Sequence, residues 1–270
     1  MDTSEIMDLA LEMAGMRAVP ADSGIWVPGR NIRKVLFSID AGAPEIALAK
    51  HQGYDLLIGH HPTGPARLTF SEVVRRHVRF MTEKGVPKKI AEEAAAELIG
   101  KIDVRTHPTN YLHDVDFAKE LRQPFMNIHL PIDQITRDFL LAAITNSGAR
   151  TAGELIQVLG AIPEFKKAKT KIELRMGGRD RPLGRWVLVF AAGTNGGYPV
   201  AKAYFDGGIE TVIYLHVDYD ELVKLRREYS KNLIVLGHMA GDSIGVNTFL
   251  ARLVEMGMET NTLGVIRRRA

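Results

Sequence analysis

The sequence predicts an α/β protein with two pseudo-repeated strand–helix–strand halves, forming mixed or parallel sheets flanked by helices. Short β-branched apolar runs alternate with helical segments along the chain, as in βαβ units. The order strand, helix, glycine, strand, histidine runs from Val35 to His60 and returns from Val187 to His216. We therefore expect residues 1–270 to form one unit with halves of about 1–145 and 185–270. We also expect a charged, glycine-rich crossover at 146–184 to join the halves, with a candidate ligand site between them and no inserted extra domain.

The composition is that of an ordinary globular chain. With 46% hydrophobic and 25% charged residues, 270 residues can bury a large core, so disorder is not expected. A net charge of +3 is too small to indicate nucleic-acid binding. No apolar run reaches membrane-spanning length and no signal-peptide pattern opens the chain, so a cytoplasmic location is the simplest expectation. With no cysteine, any metal must be held by imidazole and carboxylate, which suit Zn, Mn, Fe, Co or Ni.

In the first half, Ile6, Leu9 and Met13 share one face of a predicted opening helix over 5–16. The β-branched run 32–39 predicts a strand that ends at Asp40. A helix then starts at Pro44, and a second strand covers 56–58. Further predicted elements are helices at 70–81, 88–99, 110–121 and 136–144, and a strand at 124–130. His77 is expected on the solvated face of its helix. His107 and His113 are minor site candidates, for which a structural role is the preferred interpretation.

The second half has the same alternation. A helix is predicted around 155–159, strands at 186–191, 211–215 and 233–236, and helices at 201–206, 219–229 and 243–256. The turn Gly193-Thr194-Asn195-Gly196-Gly197 matches neither the P-loop nor the dinucleotide fingerprint. Tight backbone packing is therefore the preferred explanation for its glycines, with phosphate contact as the minority interpretation.

The segment Gly59-His60-His61-Pro62 follows the strand at 56–58 directly. Ligands of open α/β sheets bind at such carboxyl ends. Because adjacent residues of an extended chain point to opposite sides, we expect His60 and His61 to bind different metals of a neighbouring pair. The alternative is that both imidazoles face solvent or satisfy backbone groups in a loop.

Other polar residues also follow predicted strands. They are Asp40, Asp133 just beyond His129, His216, and His238 with Asp242. If their turn is helical, the four-residue spacing of His238 and Asp242 puts both on one face. Three imidazoles and two carboxylates could close a two-metal site that leaves positions open for water or substrate. Strand-end polar residues also cluster without metal, but the doubled histidine and His238-x-x-x-Asp242 favour the metal interpretation.

Four segments in this order resemble the successive motifs of the NIF-three-like dinuclear metal family. They are 35–40, 55–62 (DLLIGHHP), 126–133 (MNIHLPID) and 235–242 (VLGHMAGD). The resemblance covers most of the chain and is weakest at 68–110 and 146–184. Two departures are visible. Asp242 replaces the usual glutamate, and His129-Leu130-Pro131-Ile132-Asp133 replaces His-Thr-Asn-Leu-Asp, keeping both ends.

The resemblance implies that His60, His61, Asp133, His238 and Asp242 ligate two divalent metal ions per chain, with Zn, Mn or Fe expected. It implies that Asp242 bridges them. It further implies a homo-oligomer, typically a hexamer. Many family members carry the name GTP cyclohydrolase one, type two, which implies a small-molecule substrate such as a nucleotide.

Two functions follow from these residues. The first is a metal-dependent hydrolase, in which water activated by two cations attacks an electrophilic carbon or phosphorus. His129, Asp40 or Asp22 would orient ligands or move protons there, although capping and turn roles explain them equally well. The second is a non-catalytic binding or regulatory protein with structural metals. A nucleic-acid-binding surface is a weaker third, and it predicts affinity that falls steeply with salt.

Overall fold

A computed structural model describes residues 1–268. The strands are β1 (Gly24–Val27), β2 (Lys34–Ser38), β3 (Leu56–Gly59), β4 (Phe125–Asn127), β5 (Glu173–Met176), β6 (Trp186–Leu188), β7 (Thr211–Tyr214), β8 (Asn232–Val235) and β9 (Glu259–Leu263). The helices are α1 (Thr3–Met13), α2 (Ala43–His51), α3 (Phe70–Val74), α4 (Arg76–Glu83), α5 (Lys88–Thr106), α6 (His113–Glu120), α7 (Leu130–Thr145), α8 (Ala152–Gly160), α9 (Pro163–Lys167), α10 (Gly197–Asp206), α11 (Tyr219–Glu228) and α12 (His238–Glu255). A 3₁₀ turn covers Gly64–Arg67.

The described chain forms two compact units, and both are discontinuous in sequence. The first contains Met1–Val73, Val104–Thr136 and the described residues from Asp242 onwards. The second contains Val74–Asp103 and Arg137–Gly241.

The first unit is built on a five-stranded sheet in the order β1-β4-β3-β2-β9. Only β1 runs antiparallel to its neighbour, β4; the other pairs are parallel. The sheet is buried on both faces. Val35 and Phe37 of β2 pack into the cluster that includes α1 and α12, whereas Leu36 points into the cluster on the other face. Because side chains on both faces of β2 are buried, the strand has a nearly continuous apolar sequence.

The second unit repeats the arrangement with a four-stranded sheet in the order β5-β8-β7-β6. Again the first strand is antiparallel to its neighbour, and the rest are parallel. The order matches β1-β4-β3-β2 strand for strand. The predicted mixed sheets flanked by helices and the repeated βαβ units are therefore confirmed.

Several element predictions need correction. The helix predicted at 70–81 is two helices, α3 and α4, that meet at Arg75. The helix α7 begins at Leu130, so Asp133 lies in its first turn and not in a loop before a helix at 136. His77 is fully buried in α4, whereas a solvated position was expected. None of the described helices is long and apolar enough to cross a membrane.

Candidate metal centre

The two residues that follow β3 still form backbone hydrogen bonds to the end of β2 and the residue after it. The backbone N–H of His60 donates to Ser38 O (2.8 Å) and that of His61 to Ile39 O (3.0 Å). The two imidazoles nevertheless approach the same carboxylate, because regular β structure ends at Gly59. Nε2 of His61 lies 3.4 Å, and Nε2 of His60 3.8 Å, from Oδ2 of Asp242. The expectation that they point to opposite sides is therefore wrong.

His60 is completely buried, and a hydrogen bond to its Nδ1 atom orients the ring. Its Nδ1 lies 3.2 Å from the carbonyl oxygen of Ile128, which can only accept, so Nδ1 carries the proton. Nε2 faces Asp133, whose Oδ1 is 3.4 Å away. This buried Nε2 has no hydrogen-bond partner in the described chain.

His61 is held in the same way by a carboxylate. Its Nδ1 lies 2.6 Å from Oδ1 of Asp40, whose side chain is 87% exposed. Burial lowers the pKa of His61, but the hydrogen bond and charge of Asp242, together with Asp40, outweigh burial and raise the pKa above its ordinary value. Nδ1 donates to Asp40, which leaves Nε2 directed at Asp242.

His129 is also oriented by a carboxylate, that of Asp22, a buried residue just before β1. Nδ1 of His129 donates to Oδ2 of Asp22 at 2.7 Å, and the backbone N–H of His129 donates to Ser23 Oγ at 2.9 Å. Burial lowers the pKa of His129, but the charges of Asp133 and Asp22 raise it to about 9. Nε2 lies 3.8 Å from Oδ2 of Asp133.

The two carboxylates come from helices in close contact. Asp133 lies in α7 and Asp242 in α12, and both side chains are almost fully buried. Gly245, one turn after Asp242, donates its N–H to Thr136 Oγ1. A Cβ at Gly245 would lie only 2.3 Å from Ile132 O. Because Gly245 has no side chain, the helices that carry Asp133 and Asp242 can approach each other.

These side chains form two groups that could each hold a metal ion. One is His60, His61 and Asp242; the other is His60, His129 and Asp133. In each, the ligand atoms lie within 4.8 Å of one another. His60 belongs to both groups, and all five residues belong to the first unit.

The donor set fits a divalent metal. Neighbouring ligands of a tetrahedral site with bonds of about 2.05 Å are separated by roughly 3.3 Å, which resembles the two N–O distances of 3.4 Å. These distances exceed those of normal charged hydrogen bonds. Each imidazole donates Nδ1–H to an oxygen, as metal-bound histidines do through their second ring nitrogen. These residues could therefore hold cations.

The remaining predicted candidates lie in the second unit. His238 begins α12 and is exposed, and its ring lies 5.0 Å from that of His216. Neither belongs to the two groups among the described residues. In the Gly193–Gly197 turn, a Cβ at Gly197, where φ is +56°, would lie 2.5 Å from Glu221 Oε1. A carboxylate beside this turn supports tight packing over phosphate contact.

Sequence reasoning missed Trp26 and Asn127 as supports of the site. Trp26 Nε1 donates to Thr63 Oγ1 (3.1 Å) and Asn127 Oδ1 (3.2 Å), and Asn127 Nδ2 donates to Asp22 O (2.8 Å). This chain of hydrogen bonds connects the loop after His61 to the residue that orients His129. The unpredicted strand β1, which carries Trp26, makes these contacts possible.

Comparison with solved structures identifies the family. The structure of a NIF3 superfamily protein from Sphaerobacter thermophilus superimposes with a TM-score of 0.94 and 42% identity, over 98% of both chains. Reduced HcgD from Methanocaldococcus jannaschii matches with a TM-score of 0.63 and 14% identity, over 97% of this chain and 98% of its own. TTHA1606 from Thermus thermophilus matches with a TM-score of 0.56 and 16% identity, over the same shares. No family model and no curated protein matches the sequence.

The fold and the His/Asp site define a NIF3-like α/β protein whose side chains could hold metal ions. At 42% identity over nearly the whole of both chains, the chain belongs to the NIF3 superfamily. The two more distant structures support the fold alone.

Proposed function

We propose that this protein is a dinuclear metal-dependent hydrolase. The observation that carries the proposal is His60, whose buried Nε2 faces the carboxylates of both candidate groups. Nε2 can bind only one cation, because Nδ1 donates to Ile128 O, but the carboxylates of Asp133 and Asp242 that face it supply ligands for a second cation close by. When bound, such a pair supplies Lewis-acid chemistry that polarises a carbonyl or phosphoryl oxygen and lowers the pKa of water.

The proposed ligands are His60, His61, Asp133, His238 and Asp242. The geometry of the first unit supports four of them: His60, His61, Asp133 and Asp242. His238 is retained because it precedes Asp242 by four residues on α12, a spacing that places two side chains on one helix face. Asp242 is one methylene shorter than glutamate, and its buried carboxylate would hold metal together with the imidazoles of His60 and His61. Zn, Mn or Fe suits this donor set.

The other residues of the site prepare it and move protons. Asp40 and Asp22 hold His61 and His129 in one orientation, so no reorganisation is needed when the site fills. His129 exchanges a proton through Nε2 while Asp22 stabilises its charged form, as expected for a general acid or base. Asp40 is exposed enough to reach solvent and is a second candidate for proton transfer.

The proposed substrate is a small molecule, and a nucleotide processed in a GTP cyclohydrolase-like reaction is one candidate. The alternative is a metal-dependent binding or regulatory protein without catalysis. It is supported by the oxygen acceptors that hold the rings of His60, His61 and His129, since such orientation also suits structural metals. A hydrolase would turn over substrate once metal is bound, whereas a binding or regulatory protein would not.

The test is metal content by elemental analysis, followed by activity. We expect close to two metal ions per wild-type chain and their loss in the His60→Ala/Asp242→Ala double variant. His51→Ala, at the exposed end of α2, is the control and should retain both. The reloaded protein is then assayed on nucleotides, phosphoesters and amides. Absence of metal after reloading would refute the site, and a loaded protein without turnover would favour the binding alternative.

A cytoplasmic location and a homo-oligomer, with a hexamer suggested by family resemblance, complete the proposal. Light scattering after size exclusion measures the molar mass directly. A mass near six times that of the 29.9 kDa chain is expected, and a monomer would overturn the assembly without affecting the metal site.

A further inference from the structure

An open cleft of about 760 Å³ lies in the first unit beside the candidate metal centre. Its walls include His61 and Asp40, together with Arg67, Asn110, His113 and Asp114. His61 therefore belongs to both the cleft and the His/Asp cluster. The last four residues have no part in the two metal groups.

Arg67 and Asp114 form an oriented pair in this cleft. Arg67 Nε donates to Pro62 O at 3.1 Å, which fixes the guanidinium to the loop that follows His61. One guanidinium nitrogen lies 3.7 Å from Asp114 Oδ2. The two side chains are 39% and 15% exposed, respectively. A strong donor thus stands next to a strong acceptor, and both remain accessible to a ligand.

The charges of the cleft argue against an anion. Arg67 contributes one positive charge, whereas Asp40 and Asp114 contribute two negative charges, and His61 and His113 supply imidazoles. A phosphate or carboxylate placed on Arg67 would meet Asp114 at close range, and like charges repel. An uncharged group with an acceptor beside a donor satisfies both members of the pair. Amides, lactams and imides present this C=O and N–H edge.

Gly42 leaves room for such a ligand. It lines the cleft at the start of α2, and a Cβ there would lie 3.5 Å from Asp114 Oδ1, an ordinary contact distance. Its φ of −145° is open to any residue. A larger side chain at position 42 would therefore fill the cleft without backbone strain.

We propose that the cleft binds an uncharged amide, lactam or imide edge, with Arg67 donating to the carbonyl oxygen and Asp114 accepting the N–H. This deepens the proposed function, because it names the class of molecule presented to His61 and Asp40.

The test is hydantoin binding to metal-free wild-type protein, followed in ¹H–¹⁵N correlation spectra. 1,3-Dimethylhydantoin keeps the carbonyls but lacks every N–H, and it should bind about tenfold more weakly, the loss expected for one hydrogen bond to a charged group. Asp114→Ala and Gly42→Leu should weaken hydantoin binding by about the same factor. Arg79→Gln, which changes an exposed arginine of the second unit, is the control and should bind as wild type does.

The proposal is overturned if the two hydantoins bind equally, or if neither binds. It is also overturned if inorganic phosphate binds the metal-free protein in a manner that requires Arg67, tested with Arg67→Gln, because the ligand would then be an anion. Thermal unfolding of each variant separates lost binding from lost folding. Since these titrations contain no metal, their outcome is independent of the elemental analysis that tests the hydrolase proposal.

Discussion

Asp22 accepts a hydrogen bond from His129 at 2.7 Å although 107 residues separate them in sequence. The contact forms because β1 pairs antiparallel with β4, which places the residues before β1 next to the residues after β4. The charge of Asp22 therefore acts on an imidazole at the centre of the candidate site.

We expect Asp22→Asn to lower the pKa of His129 in the metal-free protein from about 9 towards its ordinary value. The substitution removes a negative charge and a charge-assisted hydrogen bond while keeping the side-chain shape. NMR titration of the His129 ring measures the change. Because the folded pKa is raised, the stabilisation due to His129 is full below about pH 6.5 and is lost as the pH rises through 9.

The same variant should bind metal about 10- to 100-fold more weakly, as is typical when a hydrogen-bonding partner behind the ligands is removed, because Asp22 holds His129 beside the proposed ligand Asp133. Competition with a chromophoric chelator gives the affinity. Asp116→Asn, on the exposed surface of α6, is the control. Unchanged affinity in Asp22→Asn would mean that the orientation and charge of His129 do not affect metal binding.

Single histidine variants should differ in how much metal they lose. His60 lies in both candidate groups, so His60→Ala should disturb both and leave clearly less than one ion per chain. His61 belongs to one group, and His61→Ala should leave close to one ion per chain. Elemental analysis of the purified variants decides between these results. Equal losses from both variants would show that the groups do not act as separate sites.

His77 should make the metal-free protein sensitive to acid. Burial lowers its pKa, the hydrogen bond to Thr194 O opposes this, and nearby Arg137 adds to it, so that the pKa is about 4. The unfolded chain takes up a proton near pH 6.5, so between pH 6.5 and 4 it binds more protons than the native state. Stability therefore falls as the pH falls through this window, by roughly 2 kcal/mol between pH 7 and pH 5.

The matched variant is His77→Gln, which keeps an N–H donor for Thr194 but does not titrate. Its free energy of unfolding, from denaturant titrations at pH 7 and pH 5 with chelator present, should fall less than that of wild type by about this 2 kcal/mol. An identical decrease in both proteins would exclude His77 as the cause.

The sequence was informative wherever local pattern and chemistry coincide. The run Leu56–Ile58 predicted β3, and the histidines that follow it do lie in the His/Asp cluster. The relative orientation of the His60 and His61 rings could not be predicted, because the direction of each ring depends on where regular β structure ends. The pairing of Asp22 with His129 depends on β1, a strand of only four residues without a distinctive pattern. The buried position of His77 depends on packing around α4, which a charged helical stretch does not reveal.

Gly245 should be sensitive even to a single methyl group. A Cβ there would lie 2.3 Å from Ile132 O and 2.6 Å from Thr136 Oγ1, so α7 and α12 would have to separate. Overpacking of this kind costs about 1–3 kcal/mol, and separation would also move Asp133 away from Asp242. Gly245→Ala should therefore lower both the unfolding free energy and the metal content.

Gly100→Ala is the matched control for that variant. Gly100 lies within α5 with nothing within 4 Å of its Cβ position, so alanine should be neutral or stabilise the helix by up to about 1 kcal/mol. Chemical denaturation and elemental analysis of both variants give the comparison. If Gly245→Ala lost stability but retained its full metal content, the spacing of the two helices would matter for folding alone. Loss of both would show that the close contact of α7 and α12 sets the geometry in which the two carboxylates bind metal.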